Sequence, residues 1–267
     1  MSVAAPATRF DTAFAERQAD ALPGLMPYFT AGFPRIDSLP ELLLAAQRAG
    51  CVAAEVGVPF SDPLADGPTI QRSGTAGLRN GMTLRLALSQ IEESRRLGVT
   101  LPLAPMTYVN PVLSYGVVEF VRDAQSAGAD GLIIPDLPDD EAAETRDAAH
   151  TGGLALIPLV APTTTPERLA SICAHAAGFV YCVSVTGVTG ARDVMAPEAI
   201  ELLARVHEVT HLPRALGFGI RSHEHLERLR GHAEAAAVGS AVIDAIEKDV
   251  SKPAAAAERF LRGMLGE

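Results

Sequence analysis

Two carboxylates with unlike settings suggest acid–base chemistry. Glu55 lies in an apolar, β-prone run, residues 51–56, bounded by Gly50 and Gly57. A strand of that composition is buried on both faces, where a charge is unfavourable unless it has a partner or a function. Eleven residues on, Asp66 lies in a loop that also carries Ser61 and Asp62. Pro59, Pro63 and Pro68 stiffen this loop, because each fixes its own φ and steers the preceding residue away from helix. Two carboxylates rooted in different backbone segments and facing one cavity are how an acid and a base are set across a substrate.

Three glycine clusters suggest an anion site made of backbone: Gly187-Val188-Thr189-Gly190, Gly217-Phe218-Gly219 and Gly239-Ser240. Taken singly, such clusters after strands are usually just turns. Three of them on adjacent units favour N–H groups converging on one anion, with a helix dipole behind the last. A local device is needed, because the formal net charge is −10. That charge argues against nucleic acid, whose phosphates are met by excess Lys and Arg. His223, His225 and His232 read as a solvated helix face, so no metal is expected.

The elements that must position these groups follow from periodicity. Strands are predicted at residues 25–30, 52–56, 101–108, 131–134, 154–160, 179–183, 214–217 and 235–238. Helices are predicted at 39–49, 83–97, 117–127, 139–150, 166–176, 197–209, 222–230, 240–248 and 253–265, with the segment after the second strand as far as residue 71, and residues 109–116, read as loop. Eight strand-then-helix units predict an α/β protein, a (β/α)8 barrel in one domain over residues 1–267. An additional N-terminal amphipathic helix at 10–21 would cap its bottom. A doubly wound sheet fits less well, since no dinucleotide fingerprint follows the first strand. Glu55, Asp66, Asn110 and Asp136 then all lie at or after C-terminal strand ends, where barrels carry their chemistry.

The 267 residues are 48% hydrophobic and 20% charged, the balance of a soluble globule. The N-terminus lacks a basic segment followed by an apolar one, so the expected location is cytoplasmic. Cys51, Cys173 and Cys182 have no metal or redox spacing and read as reduced core thiols. Residues 169–191 form a long uncharged run, but Gly178, Gly187 and Gly190 divide it into a helix end, a strand and a loop, not a membrane span.

From Glu55 the chain reads E-V-G-V-P-F-S-D-P-L-A-D-G-P, which resembles the signature of the tryptophan synthase alpha subunit family. The likeness extends through P-Y-F-T-A-G-F-P at Pro27, Y-V-N-P at Tyr108, P-D-L-P at Pro135, S-V-T-G-V-T-G at Ser184, G-F-G-I at Gly217 and V-G-S-A at Val238. It implies a (β/α)8 barrel that cleaves indole-3-glycerol phosphate to indole and glyceraldehyde 3-phosphate. It also implies no cofactor in this chain, and a pyridoxal-phosphate (PLP) beta subunit as partner in an α2β2 complex.

By the same likeness Glu55 is the catalytic glutamate and Asp66 the catalytic aspartate, accepting from the indole N–H. Burial among Phe60, Tyr108 and barrel aliphatics would raise the pKa of Glu55. Tyr108, Asp136, Tyr181 and Phe218 would line the substrate pocket, although Tyr181 fits simple barrel packing equally well. Gly190, Gly219, Gly239 and Ser240 would bind the phosphate. Loops 59–67 and 185–193 would close over the substrate and meet the partner.

Ala54, Arg221 and Asp244 depart from the family pattern, the last two near the phosphate. The alternatives are a stand-alone indole-3-glycerol phosphate lyase and a non-catalytic regulatory barrel. The second would be marked by a missing acid or base, and neither is missing.

Overall fold

Short apolar runs ended by Gly, Pro or a polar residue pair side by side here, and every pairing is parallel. The computed structural model describes residues 7–15, 22–183, 197–217 and 219–267. In chain order the elements are α1 (Arg9–Ala15), β1 (Gly24–Thr30), α2 (Leu39–Arg48), β2 (Ala54–Gly57), α3 (Pro68–Arg79), α4 (Leu84–Arg96), β3 (Leu103–Met106), α5 (Val109–Tyr115), α6 (Val117–Ser126), β4 (Gly131–Ile133), α7 (Ala143–Thr151), β5 (Ala155–Ile157), β6 (Leu159–Val160), α8 (Pro166–His175), β7 (Val180–Val183), α9 (Pro197–Val209), β8 (Arg214–Gly217), α10 (His223–Leu229), β9 (Ala235–Val238), α11 (Ser240–Glu247) and α12 (Pro253–Leu265).

The sheet order β5-β4-β3-β2-β1-β9-β8-β7-β6 closes into the expected barrel, because β5 and β6 are halves of one stave. The first half pairs with β4 and the second with β7. Pro158 separates them; it has no N–H to contribute to a ladder, yet its carbonyl accepts from Tyr181 N at 3.0 Å. Nine strand segments therefore make eight staves.

Alternation along the strands produces two cores. Leu25, Phe29, Ala54 and Val56 point outward into a layer packed under the helices. Met26, Ala53, Ala104, Ala155, Ala215 and Ala235 point inward with Phe179 and Tyr181. Alanines at so many inward positions leave room at the bottom, and α1 fills it with Phe10 and Phe14, packed edge-on to Phe179 at 5.2 and 5.7 Å between ring centroids. The expected capping helix is thus present over Arg9–Ala15, and residues 16–21 lie outside the described part.

Some elements differ from the sequence reading. Residues 68–79 form α3 instead of a loop; the run T-I-Q-R-S-G-T-A-G hides it, because only Ser73 and Gly77 are buried on it. Pro68 at its first turn was the available signal. The third strand ends at Met106, since Val109 opens α5. Residues 139–141 form a 3-10 turn before α7. His225, expected on a solvated face, is 6% exposed and its Nδ1 accepts from Arg221 N at 3.4 Å. Among the described residues no helix is long and apolar enough to cross a membrane.

Candidate active site

Because Ala54 and Val56 face the helices, Glu55 must face the barrel axis, level with Tyr28 on β1 and Ala104 on β3. It is 2% exposed. Tyr181 donates a hydrogen bond to its carboxylate, while Oε1 has no partner among the described residues. Burial pushes the Glu55 carboxyl up to about 8, against the opposing pull of the Tyr181 hydrogen bond. Near neutral pH it can therefore hold a proton to give and, once ionised, take one back.

Glycine makes room for the two tyrosines that surround this acid. A Cβ on Gly57 would fall 1.9 Å from the Tyr28 hydroxyl, and one on Gly217 would fall 2.3 Å from the Tyr181 ring. Both glycines serve close approach. Tyr28, buried and not anticipated from the sequence, has its pKa raised well above the ordinary tyrosine value by burial and then by the charges of Asp66 and Glu55. One hydroxyl thus lies in the field of both carboxylates. The signal for it was the alternation of β1, which puts residue 28 inward beside residue 55.

Asp66 is carried by the loop between β2 and α3, and Tyr108 at the end of the third stave holds that loop. The Tyr108 hydroxyl accepts from Ala65 N at 3.0 Å and hydrogen-bonds the Asp66 carboxylate, while its ring lies 5.5 Å from that of Phe60. Burial raises the pKa of Asp66 and the Tyr108 hydrogen bond counteracts it. At the tip of the same loop Leu64 is 87% exposed. Asp136 lies close by in a structural role, since its Oδ1 accepts from Val109 N at 2.8 Å and caps α5.

The expected anion site is described in part. Gly239 precedes α11 beside Tyr28, where a Cβ would lie 3.6 Å from the tyrosine Cβ. The first turn of α11 folds Val242 N and Ile243 N back onto Gly239 O, at 3.1 Å each. The amides of Ser240 and Ala241 come before any intrahelical acceptor is available. Gly219 sits after β8 with φ +83°, a conformation open to glycine. Gly190, Phe218 and loop 185–193 lie outside the described residues. Asp244, the acid where a base was expected, receives hydrogen bonds from Thr69 at 3.3 Å and Arg72 at 3.4 Å on α3, so a cation from the neighbouring helix faces it.

Elsewhere, a cavity of about 270 Å³ opens between α7 and α8 beside Pro158. Its two arginines, Arg146 and Arg168, are paired with Asp139 and Asp140. Among the described residues no group of three or more His, Cys, Asp or Glu is arranged to hold a metal.

Fold and site together define a (β/α)8 barrel with acid–base groups at its C-terminal mouth. A family model described as tryptophan synthase alpha chain matches residues 14–264. The tryptophan synthase alpha chain of Roseiflexus castenholzii is 48% identical over 262 residues, covering 96% of this chain and 100% of that one. A chain from the tryptophan synthase α2β2 complex of Pyrococcus furiosus superposes with a TM-score of 0.87 at 38% identity, covering 91% of this chain and 98% of that one. The alpha subunit of Legionella pneumophila tryptophan synthase does so with 0.88 at 32% identity, covering 97% of each. The chain belongs to the tryptophan synthase alpha chain family.

Proposed function

We propose that this chain cleaves indole-3-glycerol phosphate to indole and glyceraldehyde 3-phosphate, a carbon–carbon lyase reaction of the reverse-aldol type. The observation that carries the reading is Glu55: a buried carboxyl, raised to about 8, with one oxygen unpartnered among the described residues. Neutral Glu55 gives its proton to indole C3, which turns the ring into an electron acceptor. The ionised carboxylate then takes the proton of the glycerol C1′ hydroxyl; the aldehyde carbonyl forms as the C3–C1′ bond breaks and its electron pair returns to the ring. One carboxyl serves both steps and ends as it began.

Asp66 accepts from the indole N–H and stabilises the positive charge that C3 protonation places there. The Ser240 and Ala241 amides at the start of α11 and the backbone at Gly219 hold the phosphate, completed by Gly190. Tyr108 positions Asp66, and Tyr181 orients Glu55. Asp136 shapes the mouth by capping α5.

The chain itself carries no cofactor in this reading. Indole passes to a beta subunit that contributes pyridoxal phosphate, in an α2β2 assembly. Support comes from the α2β2 relative and from Leu64, exposed on the loop that carries Asp66. The buried, unpaired Cys51, Cys173 and Cys182 suit the reducing cytoplasm, where we place the enzyme. The test is indole release from indole-3-glycerol phosphate, with and without the beta subunit. Slow release that speeds up with the partner is the expected result. Undiminished turnover by Glu55→Gln and Asp66→Asn would move the chemistry to another site.

A further inference from the structure

The split fifth stave leaves a space that its neighbours do not fill. β4 pairs with it only as far as Ile157, and beyond Pro158 the stave pairs on its other side, with β7. In the outer layer α7 packs against α6 and α8 against α9, so the seam between α7 and α8 opens over this break. The cavity of about 270 Å³ lies in the seam, with Leu137, Leu156, Pro158 and Ile172 among its apolar walls.

One polar side chain of the lining has donors to spare. Arg146 on α7 is 13% exposed, with the Asp139 carboxylate 3.3 Å away, and it hydrogen-bonds through Nη2 alone, to Asp139 O at 3.0 Å. Its Nε and Nη1 donate to nothing among the described residues. Arg95, as well shielded at 14%, shows what a purely structural arginine does here, since its Nε, Nη1 and Nη2 all have partners. A guanidinium held away from water needs acceptors, and a carboxylate matches both its charge and its planar donors. The acids already in the lining are engaged, Asp139 with Arg146 itself and Asp136 with Val109 N. A phosphate carries more charge than these apolar walls suit.

We propose that this cavity is a second binding site, for a small apolar carboxylate, with the carboxylate on Arg146 and a compact apolar body against Leu156 and Ile172. Both of those side chains belong to the layer outside the staves, whereas Glu55 faces the barrel axis. Apolar walls around a few placed polar groups are the usual make-up of a small-molecule site.

The test titrates the full chain calorimetrically with 3-phenylpropanoate and with its uncharged counterpart, 3-phenylpropanamide. The carboxylate should bind with a Kd of about 1 mM and the amide about tenfold more weakly, the worth of one charge-assisted hydrogen bond. Saturation with indole-3-propyl phosphate, which keeps the ring and phosphate of the acid-site substrate but lacks its hydroxyls, should leave the Kd for the carboxylate within about twofold. Equal affinity for the two probes, a Kd for the carboxylate above about 10 mM, or displacement by indole-3-propyl phosphate would each overturn the assignment, and all three are read on the unaltered protein. Arg146→Met should bring the carboxylate to the affinity of the amide and leave the amide unchanged. A folded variant that still binds the carboxylate as the wild type does would overturn the assignment as well.

Discussion

The two ends of the barrel treat a buried carboxylate in opposite ways. At the bottom, Asp130 is 4% exposed and fully engaged: Oδ1 accepts from Arg9 and Oδ2 from Arg95 and Leu103 N, all at 2.8 Å. Arg95 spends three further donors on the carbonyls of Gly128, Val99 and Leu101. This knot ties α1 and α4 to the base of the third and fourth staves. At the mouth, Glu55 is as deeply buried but keeps one oxygen without a partner, and Thr107 Oγ1 nearby is also unmatched among the described residues. A satisfied buried charge holds a structure in place. An unsatisfied one is a site where a ligand can complete the hydrogen bonding, and the cost of keeping it is borne by the rest of the fold.

Substitutions at the two ends should separate activity from stability. The largest effect is expected for Glu55→Gln: indole release falls 10³- to 10⁴-fold, about 4–5 kcal/mol in the barrier, while the melting temperature does not drop. A tenfold loss or less would break the contrast. Asp130→Ala should do the reverse, costing about 3 kcal/mol in urea unfolding with turnover per folded molecule unchanged. The low end of the range applies because Arg9 is half exposed and Arg95 keeps its carbonyls.

Gly217→Ala tests the packing behind Glu55. The added methyl meets the Tyr181 ring and should cost about 2 kcal/mol. Loss of the Tyr181 hydrogen bond should also move the pH–rate profile upward, because that bond is what pulls the carboxyl down.

The pH dependence of stability sharpens the comparison further. The native carboxyl of Glu55 titrates near 8 against an ordinary 4.5, so the folded state holds a proton that the unfolded state has lost. Its contribution is fully present below about 4.5 and is lost as pH rises through about 8. Between pH 6 and 7 this single group should remove about 1.4 kcal/mol of stability, and Glu55→Gln should abolish that slope in urea melts. Asp66 acts with the same sign. The smallest effect is expected at Arg72, whose exposed pairing with Asp244 and Glu247 is screened by solvent. Arg72→Ala should leave the melting temperature unchanged.

Much of this was legible beforehand for a physical reason. The eight staves could be read because a strand buried on both faces is apolar throughout, and Glu55 stood out because a charge in such a run is anomalous. Asp66 was legible from the prolines around it. Helix α3 was not, because its buried face consists of Ser73 and Gly77, which no hydrophobic periodicity reports. Asp136 was read as lining the substrate pocket, and the contact the sequence did not report is its hydrogen bond from the amide of Val109 at the start of α5.

What the order of residues determines here is local: which runs become strands, where glycine permits close approach, and which position along a stave carries an acid. Those properties depend on a few neighbours in the chain. Tertiary structure alone decides that Tyr28 and Glu55 share a level on adjacent strands, that Ser73 on α3 reaches Thr30 on β1, and that Asp130 gathers donors from three segments while Glu55 keeps an oxygen unmatched among the described residues. Register and helix docking bring together groups far apart in sequence, and they settle whether a buried oxygen finds a donor.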